Sequence, residues 1–273
     1  MKLQGKTAII TGAVRGIGKE TARLFAGEGA DVIVNGLTAD AVTEACAEIE
    51  KTANGRVFPF TGDISYKNQV DAMFDLAMEK TGRVDVLVNN AGVSIRKNFL
   101  EYTEEFWDDN LRNNLKSVYL TSQRAARIMV KQNGGSIINL SSIGATRSHR
   151  ETIAYDTSKG AIDAMTKALA VELGAWNIRC NAISPAVILG HYVKKLPDDV
   201  LERKDPSDFA TPLLRQGEPI DVAYLALFLA CEESGFITGQ SIAIDGGLSI
   251  QARAFRDSKA SITPQNIREK GLL

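Results

Sequence analysis

From residue 7 to about 245, short apolar runs rich in β-branched residues alternate with longer segments of helical period. The runs predict strands at 7–11, 31–35, 56–60, 84–89, 135–141, 177–183 and 240–244, and the periodic segments predict helices near 16–27, 39–52, 67–81, 103–131, 153–173 and 218–231. Val84 to Val88 and Ser136 to Leu140 are apolar almost throughout, as expected of strands covered by helices on both faces. Repeated strand–helix–strand units with right-handed crossovers give a single-domain α/β fold, a doubly wound parallel sheet of about seven strands. In such a sheet a ligand sits beyond the carboxyl ends of the strands, where the winding direction reverses. That edge is where chemistry is sought.

Residues 188–217 break the rhythm with Pro197, Pro206 and Pro212 among charged side chains, and predict a loop-plus-short-helix insertion over the site. The expected division is a cofactor-binding and catalytic domain over 1–248 and a C-terminal extension over 249–273. In the extension, Thr263-Pro264 before Gln-Asn-Ile-Arg-Glu predicts a capped short helix that docks on its own or a neighbouring subunit, a mobile terminus being the alternative.

Charge changes the picture by exclusion. Lys plus Arg number 32 against 33 Asp plus Glu, so no overall field recommends nucleic acid or a membrane surface, and a small molecule is the expected partner. Cys46, Cys180 and Cys231 are too few and too scattered for a zinc site or a disulfide framework, and read as reduced thiols. No apolar run reaches membrane-spanning length, and a cytoplasmic location is expected. His149 and His191 have no third ligand in view, so no metal is expected.

Thr11-Gly12-Ala13-Val14-Arg15-Gly16-Ile17-Gly18 ends the first strand and opens a helix, where backbone amides and the helix dipole face an anion. Glycines allow close backbone approach to a pyrophosphate, although a glycine trio also serves a plain tight turn. Tyr155 and Lys159 stand one helical turn apart on one face. A phenol is a poor base at neutral pH, and a neighbouring ammonium favours its ionised form, so the pair suits proton exchange with a substrate oxygen. A solvent-exposed pair of the same spacing is the alternative. Ser142 ends the fifth strand, placed to hydrogen-bond the same oxygen or to cap a turn.

Taken in order, TGAVRGIG (11–18), NNAG (89–92), Asn114-Leu115-Lys116-Ser117, INLSS (138–142), YDTSK (155–159) and ITGQSIAIDGG (237–247) resemble the short-chain dehydrogenase/reductase family. The likeness spans residues 3 to about 248 and is nearest to the 3-oxoacyl reductase and sugar dehydrogenase-like members. It implies a Rossmann-like fold and hydride transfer between a nicotinamide and a carbonyl or secondary alcohol. It further implies four catalytic residues: Ser142 orients the substrate oxygen, Tyr155 transfers its proton, Lys159 lowers the tyrosine pKa and binds the nicotinamide ribose, and Asn114 positions a relay water. Asn114 is preferred to Asn113, and Ser142 to Ser141, by register. The implied cofactor contacts are Gly12, Arg15, Gly16, Ile17, Gly18, Leu37, Asp63, Ile64, Asn90, Ala91, Gly92, Tyr155, Lys159 and the Ile188 backbone, with Asn89 structural; Asp63 alternatively caps the next turn.

The chain departs from the family in places. Asn35-Gly36-Leu37 offers neither the acidic residue that selects NAD nor the basic one that selects NADP, which leaves Arg15 as the candidate phosphate partner and favours NADP over NAD. Ala186 replaces the family's usual glycine, which puts the backbone in doubt because alanine does not tolerate positive φ, and Gly190 replaces a threonine. Arg96, Arg147, His149 and Arg150, with His191, predict a polar or anionic substrate such as a sugar, hydroxy acid or keto acid; a solvated loop or a subunit contact is the alternative for Arg147 and Arg150. The resemblance implies a homotetramer, or else a dimer. Two other functions compete: a redox-neutral epimerase or dehydratase of the same fold, and a nucleotide-sensing binding protein without catalysis.

Overall fold

Seven parallel strands in the order β3-β2-β1-β4-β5-β6-β7 form the sheet of the computed structural model, which describes residues 1–189, 211–213 and 215–251. They are β1 (Thr7–Ile10), β2 (Asp31–Gly36), β3 (Val57–Thr61), β4 (Val86–Asn89), β5 (Gly135–Leu140), β6 (Ile178–Pro185) and β7 (Ser241–Ile244). The helices are α1 (Gly16–Gly27), α2 (Ala39–Glu50), α3 (Lys67–Thr81), α4 (Glu104–Leu111), α5 (Ser117–Gln132), α6 (Ile153–Leu173) and α7 (Pro219–Ala230). Winding runs outward from β1 through β2 to β3, then returns to β4 and proceeds the other way, so the reversal lies between β1 and β4.

Side chains alternate along each strand and feed two cores. Ile10, Val32 and Val34 pack with Phe25 of α1, Ile49 of α2 and Leu229 of α7 in one layer. Ile9, Ile33, Leu87 and Ile137 pack with Phe74 of α3 and Met129 of α5 in the other. Helices on both faces leave every residue of β1 and β4 buried, which is why both are apolar but for Thr7 and Asn89 at their ends.

The helix predicted over 103–131 is two helices joined by a π turn, Arg112–Lys116. Asn114 lies within this turn and is fully buried. Cys46, Cys180 and Cys231 are buried free thiols, and burial pushes them up to about 11, 12 and 11. No described helix is long and apolar enough to cross a membrane. His191, Gly190, most of the expected insertion and residues 252–273 of the extension lie outside the described residues.

Candidate active site

The carboxyl ends of β1 and β4 are clasped together. Thr11 Oγ1 accepts from the amides of Asn90 and Ala91, both at 3.0 Å, while Asn90 Nδ2 donates to the carbonyls of Thr11 and Gly12 at 3.0 Å each. Gly12 has φ +61, and a Cβ there would lie 2.9 Å from Ala91 Cα; a Cβ on Gly18 would collide with Asn90 Nδ2 and the Gly12 carbonyl. Those two glycines are needed for chain-to-chain approach. Gly16, at φ +55, instead opens on free space. The first turn of α1 carries no acidic residue and its N-cap, Arg15, provides no side-chain cap, so its orphan amides and dipole remain for an anion. These residues fit a dinucleotide's pyrophosphate.

Asn35, one of the residues at the selector position, is buried and committed: Oδ1 accepts from the Gly12 amide at 3.3 Å and Nδ2 donates to the Gly62 carbonyl at 3.0 Å. It braces the glycine turn, a function the sequence signalled only as a missing charge. Leu37 is 72% exposed, and Arg15 is exposed with no ion pair among the described residues. Asp63 Oδ1 accepts from the Ser65 amide at 2.9 Å, which makes it a turn cap, and the Ile64 side chain packs into the core.

Around the ends of β4 and β5 the other candidates converge. Asn114 is inaccessible to solvent; its Oδ1 accepts from the Val93 amide at 2.7 Å and its Nδ2 donates to the Val93 carbonyl at 2.9 Å. Its side-chain amide is thus spent on holding the turn after NNAG. A Cβ on Gly92 would lie 2.9 Å from Asn114 Oδ1 and 3.8 Å from Lys159 Nζ, so these side chains occupy one neighbourhood. Lys159 Nζ donates to the Leu140 carbonyl at 2.6 Å and lies 5.4 Å from the centroid of the Tyr155 ring. Burial pulls the Lys159 ammonium down to about 8, partly opposed by Asp163. Ser142 Oγ accepts from the Gly144 amide at 3.0 Å, whereas Ser141 turns the other way and donates to the Lys159 carbonyl at 3.2 Å. Ser142 just past the end of β5 and an ammonium held on the Leu140 carbonyl beside the Tyr155 ring share one sheet edge, and a hydroxyl, a phenol and an ammonium are groups that can orient a substrate oxygen and exchange a proton with it.

The family described as enoyl-(acyl carrier protein) reductase matches residues 12–249. The 3-oxoacyl-[acyl-carrier-protein] reductase of Thermotoga maritima is 39% identical over 250 residues, covering 92% of this chain and 100% of that one. The 7alpha-hydroxysteroid dehydrogenase of Escherichia coli is 37% identical over 247 residues, covering 90% and 95%. A solved short-chain type dehydrogenase/reductase from Mycobacterium marinum matches with TM-score 0.84 at 36% identity, over 92% of this chain and 98% of that one. The chain belongs to the short-chain dehydrogenase/reductase family. It is a nicotinamide-dependent oxidoreductase acting on a carbonyl/alcohol pair.

Ala186, at the family's glycine position, does not adopt positive φ, and just past the end of β6 its amide donates to the Ile244 carbonyl at 3.0 Å. Gly217 exchanges hydrogen bonds with Val187 and Leu189, which in a parallel bridge turns the amide and carbonyl of Ile188 to the other side. Arg147 Nη1 donates to the Leu248 carbonyl at 2.7 Å and Nη2 to that of Gln251 at 3.4 Å. His149 contacts Asp156, and Arg96 and Arg150 are exposed without an ion pair among the described residues.

Because Lys159 in the folded chain releases its proton near about 8 rather than its ordinary 10.5, the unfolded chain binds more protons between those values, and this residue's contribution to stability rises with pH there. Urea unfolding of the wild type and Lys159→Met across that window checks it. The difference in unfolding free energy, wild type minus variant, is expected to grow by roughly 1–3 kcal/mol; a flat difference would show that the ammonium is not desolvated.

Proposed function

We propose that this chain interconverts the carbonyl and alcohol forms of a small polar or anionic substrate, using Asn114, Ser142, Tyr155 and Lys159. The observation that carries this reading is the buried Lys159 ammonium, fixed on the Leu140 carbonyl and set beside the Tyr155 ring. Below about pH 8 its charge persists in a desolvated place, where it favours the phenolate. Ser142 and Tyr155 both bond the substrate oxygen; in reduction Tyr155 gives that oxygen its proton, and in oxidation takes it. Asn114 fixes the turn at Val93 that walls the site. Bound nicotinamide supplies or accepts the hydride, and Gly12, Gly16, Ile17, Gly18, Asn90, Ala91, Gly92 and the Ile188 backbone are the residues that would hold the dinucleotide, with Asp63 and Ile64 at the adenine end.

Exposed Arg15, with no acidic residue near it at the end of β2, supports NADP as the preferred form. The exposed guanidiniums of Arg96 and Arg150, without an ion pair among the described residues, support a polar or anionic substrate. Residues 1–248 act as one domain in this reading, in a cytoplasmic homotetramer or dimer; exposed Tyr119, Val171 and Trp176 and exposed Tyr224, Phe228 and Phe236 supply apolar surface for subunit contacts.

Nicotinamide fluorescence titration is expected to give NADPH at least about tenfold tighter binding than NADH, with Arg15→Ala erasing most of that gap. Equal affinities would remove the NADP preference. With pyruvate, acetoacetate and reducing sugars assayed beside steroids and long-chain alcohols, turnover is expected in the first group. Tyr155→Phe is expected to cut kcat by about 10²–10⁴-fold and leave cofactor affinity unchanged, because only the proton-bearing oxygen is lost. Binding without turnover of any redox pair would favour the redox-neutral alternatives.

A further inference from the structure

The residue after the candidate tyrosine carries a carboxylate whose use the proposed reaction does not explain. Asp156 is the one acidic residue in the first turn of α6, and its side chain is only 8% exposed. Three donors meet it. Oδ2 accepts from the His149 amide at 2.8 Å and from Thr152 Oγ1 at 3.0 Å, and Oδ1 lies 3.2 Å from His149 Nδ1. All three belong to the loop that leaves β5 through Ser142 and re-enters at α6.

The same carboxylate presses on the turn that bears Ser142. A Cβ on Gly144 would collide with Asp156 Oδ1 and come within 3.2 Å of both Asp156 Cγ and His149 Cε1, so only a glycine lets the turn sit this close. The Gly144 amide is the donor to Ser142 Oγ. A continuous path therefore runs from Asp156 through Gly144 to the Ser142 hydroxyl, while Asp156 is itself bonded in sequence to Tyr155. Just before Thr152, Glu151 holds a φ of +65, and its carbonyl accepts from the Lys97 amide at 2.9 Å, which joins the turn after β4 to the same loop. A non-glycine residue in that conformation persists only where its surroundings hold it.

We propose that Asp156 is a positioning residue: its buried carboxylate draws residues 149 and 152 onto the first turn of α6 and thereby sets the Ser142 hydroxyl against Tyr155. The proposal rests on the catalytic reading of Ser142 and Tyr155 given above. Without the carboxylate, the His149 amide and Thr152 hydroxyl lose their acceptor and a gap opens beside Gly144. A displacement of Ser142 by a fraction of an ångström then lowers the rate and leaves the dinucleotide's seat untouched.

The test is a double-mutant cycle between Asp156→Ala and Ser142→Ala, assayed with the fastest substrate of the panel above. Asp156→Ala alone is expected to lower kcat by about 10–100-fold, with NADPH affinity within about twofold of wild type. In the Ser142→Ala background the same change is expected to cost less than about threefold, since the hydroxyl it positions is gone. Asp156→Asn keeps an acceptor oxygen for the His149 amide and the Thr152 hydroxyl and puts an NH2 donor in place of the other oxygen, from which the Nδ1 of a neutral imidazole can accept, so it is expected to recover activity to within about fivefold of wild type. Equal losses in both backgrounds, or an asparagine variant no better than alanine, would overturn the proposal. His149→Ala, which keeps the main-chain contact, gives a milder second arm if Asp156→Ala fails to fold; it too must couple to Ser142. Hydrogen exchange over residues 143–152 needs no turnover: faster exchange in Asp156→Ala is expected, and unchanged exchange refutes the tie. Full activity of Tyr155→Phe would instead sink the catalytic reading, whatever exchange shows.

Discussion

The clasp of Thr11 and Gly12 on Asn90 and Ala91 is the constraint from which the rest of the site follows. A doubly wound sheet sends its connections to opposite faces on either side of β1 and β4, which leaves a crevice between their carboxyl ends. Thr11 Oγ1 and Asn90 Nδ2 close the floor of that crevice with four hydrogen bonds, so its walls keep a fixed separation. Gly12 and Gly18 are then obligatory, because the floor lies too near for any Cβ. Asn35 adds a third point of support from β2.

Beneath the neighbouring strand ends, a buried polar network holds β4 and β5 to the helices. Asn89 Nδ2 donates to Asn139 Oδ1 at 2.9 Å and to Ser122 Oγ at 3.0 Å, Thr121 Oγ1 donates to Asn89 Oδ1 at 2.6 Å, and Asn139 Nδ2 donates to Thr166 Oγ1 at 2.9 Å. Satisfied networks of this kind rigidify what they join. They fix α5 and α6 against the strands that lead to Val93 and Ser142, and so allow Lys159 to be buried with its ammonium aimed at the Leu140 carbonyl. The cost of desolvating that charge is the price of a site where an ammonium acts at short range without water to screen it.

Much of this was legible in the sequence because each strand is an apolar run and each helix a periodic one; all seven strands and six helical stretches fall within a few residues of their expected places. The motif residues were legible for a different reason, since Gly12, Asn90, Ser142, Tyr155 and Lys159 stand in motifs that resemble those of the family and follow in the same order; spacing alone left the Tyr155 and Lys159 pair open to a plain exposed helix face. What escaped was contact chemistry. Asn35 looked like an absent charge and is a brace, the bonds of Arg147 to the carbonyls of Leu248 and Gln251 had no signal in the sequence, and Asp156 passed unnoticed inside YDTSK. Ala186 raised a concern about positive φ that the backbone never meets. Such partners lie far apart in the chain or depend on a single turn, and neither periodicity nor composition carries that information.

The central claim is that a proton-exchanging tyrosine and a nicotinamide ring serve one carbon–oxygen bond in this crevice. The most direct test is reduction of a turned-over carbonyl compound with NADPH deuterated stereospecifically at C4, in two samples, one for each face of the ring, with the product analysed by mass spectrometry. Deuterium is expected at the carbinol carbon from one labelled face and not from the other, with no loss to solvent. Label appearing from both faces, or washed into water, would contradict the account.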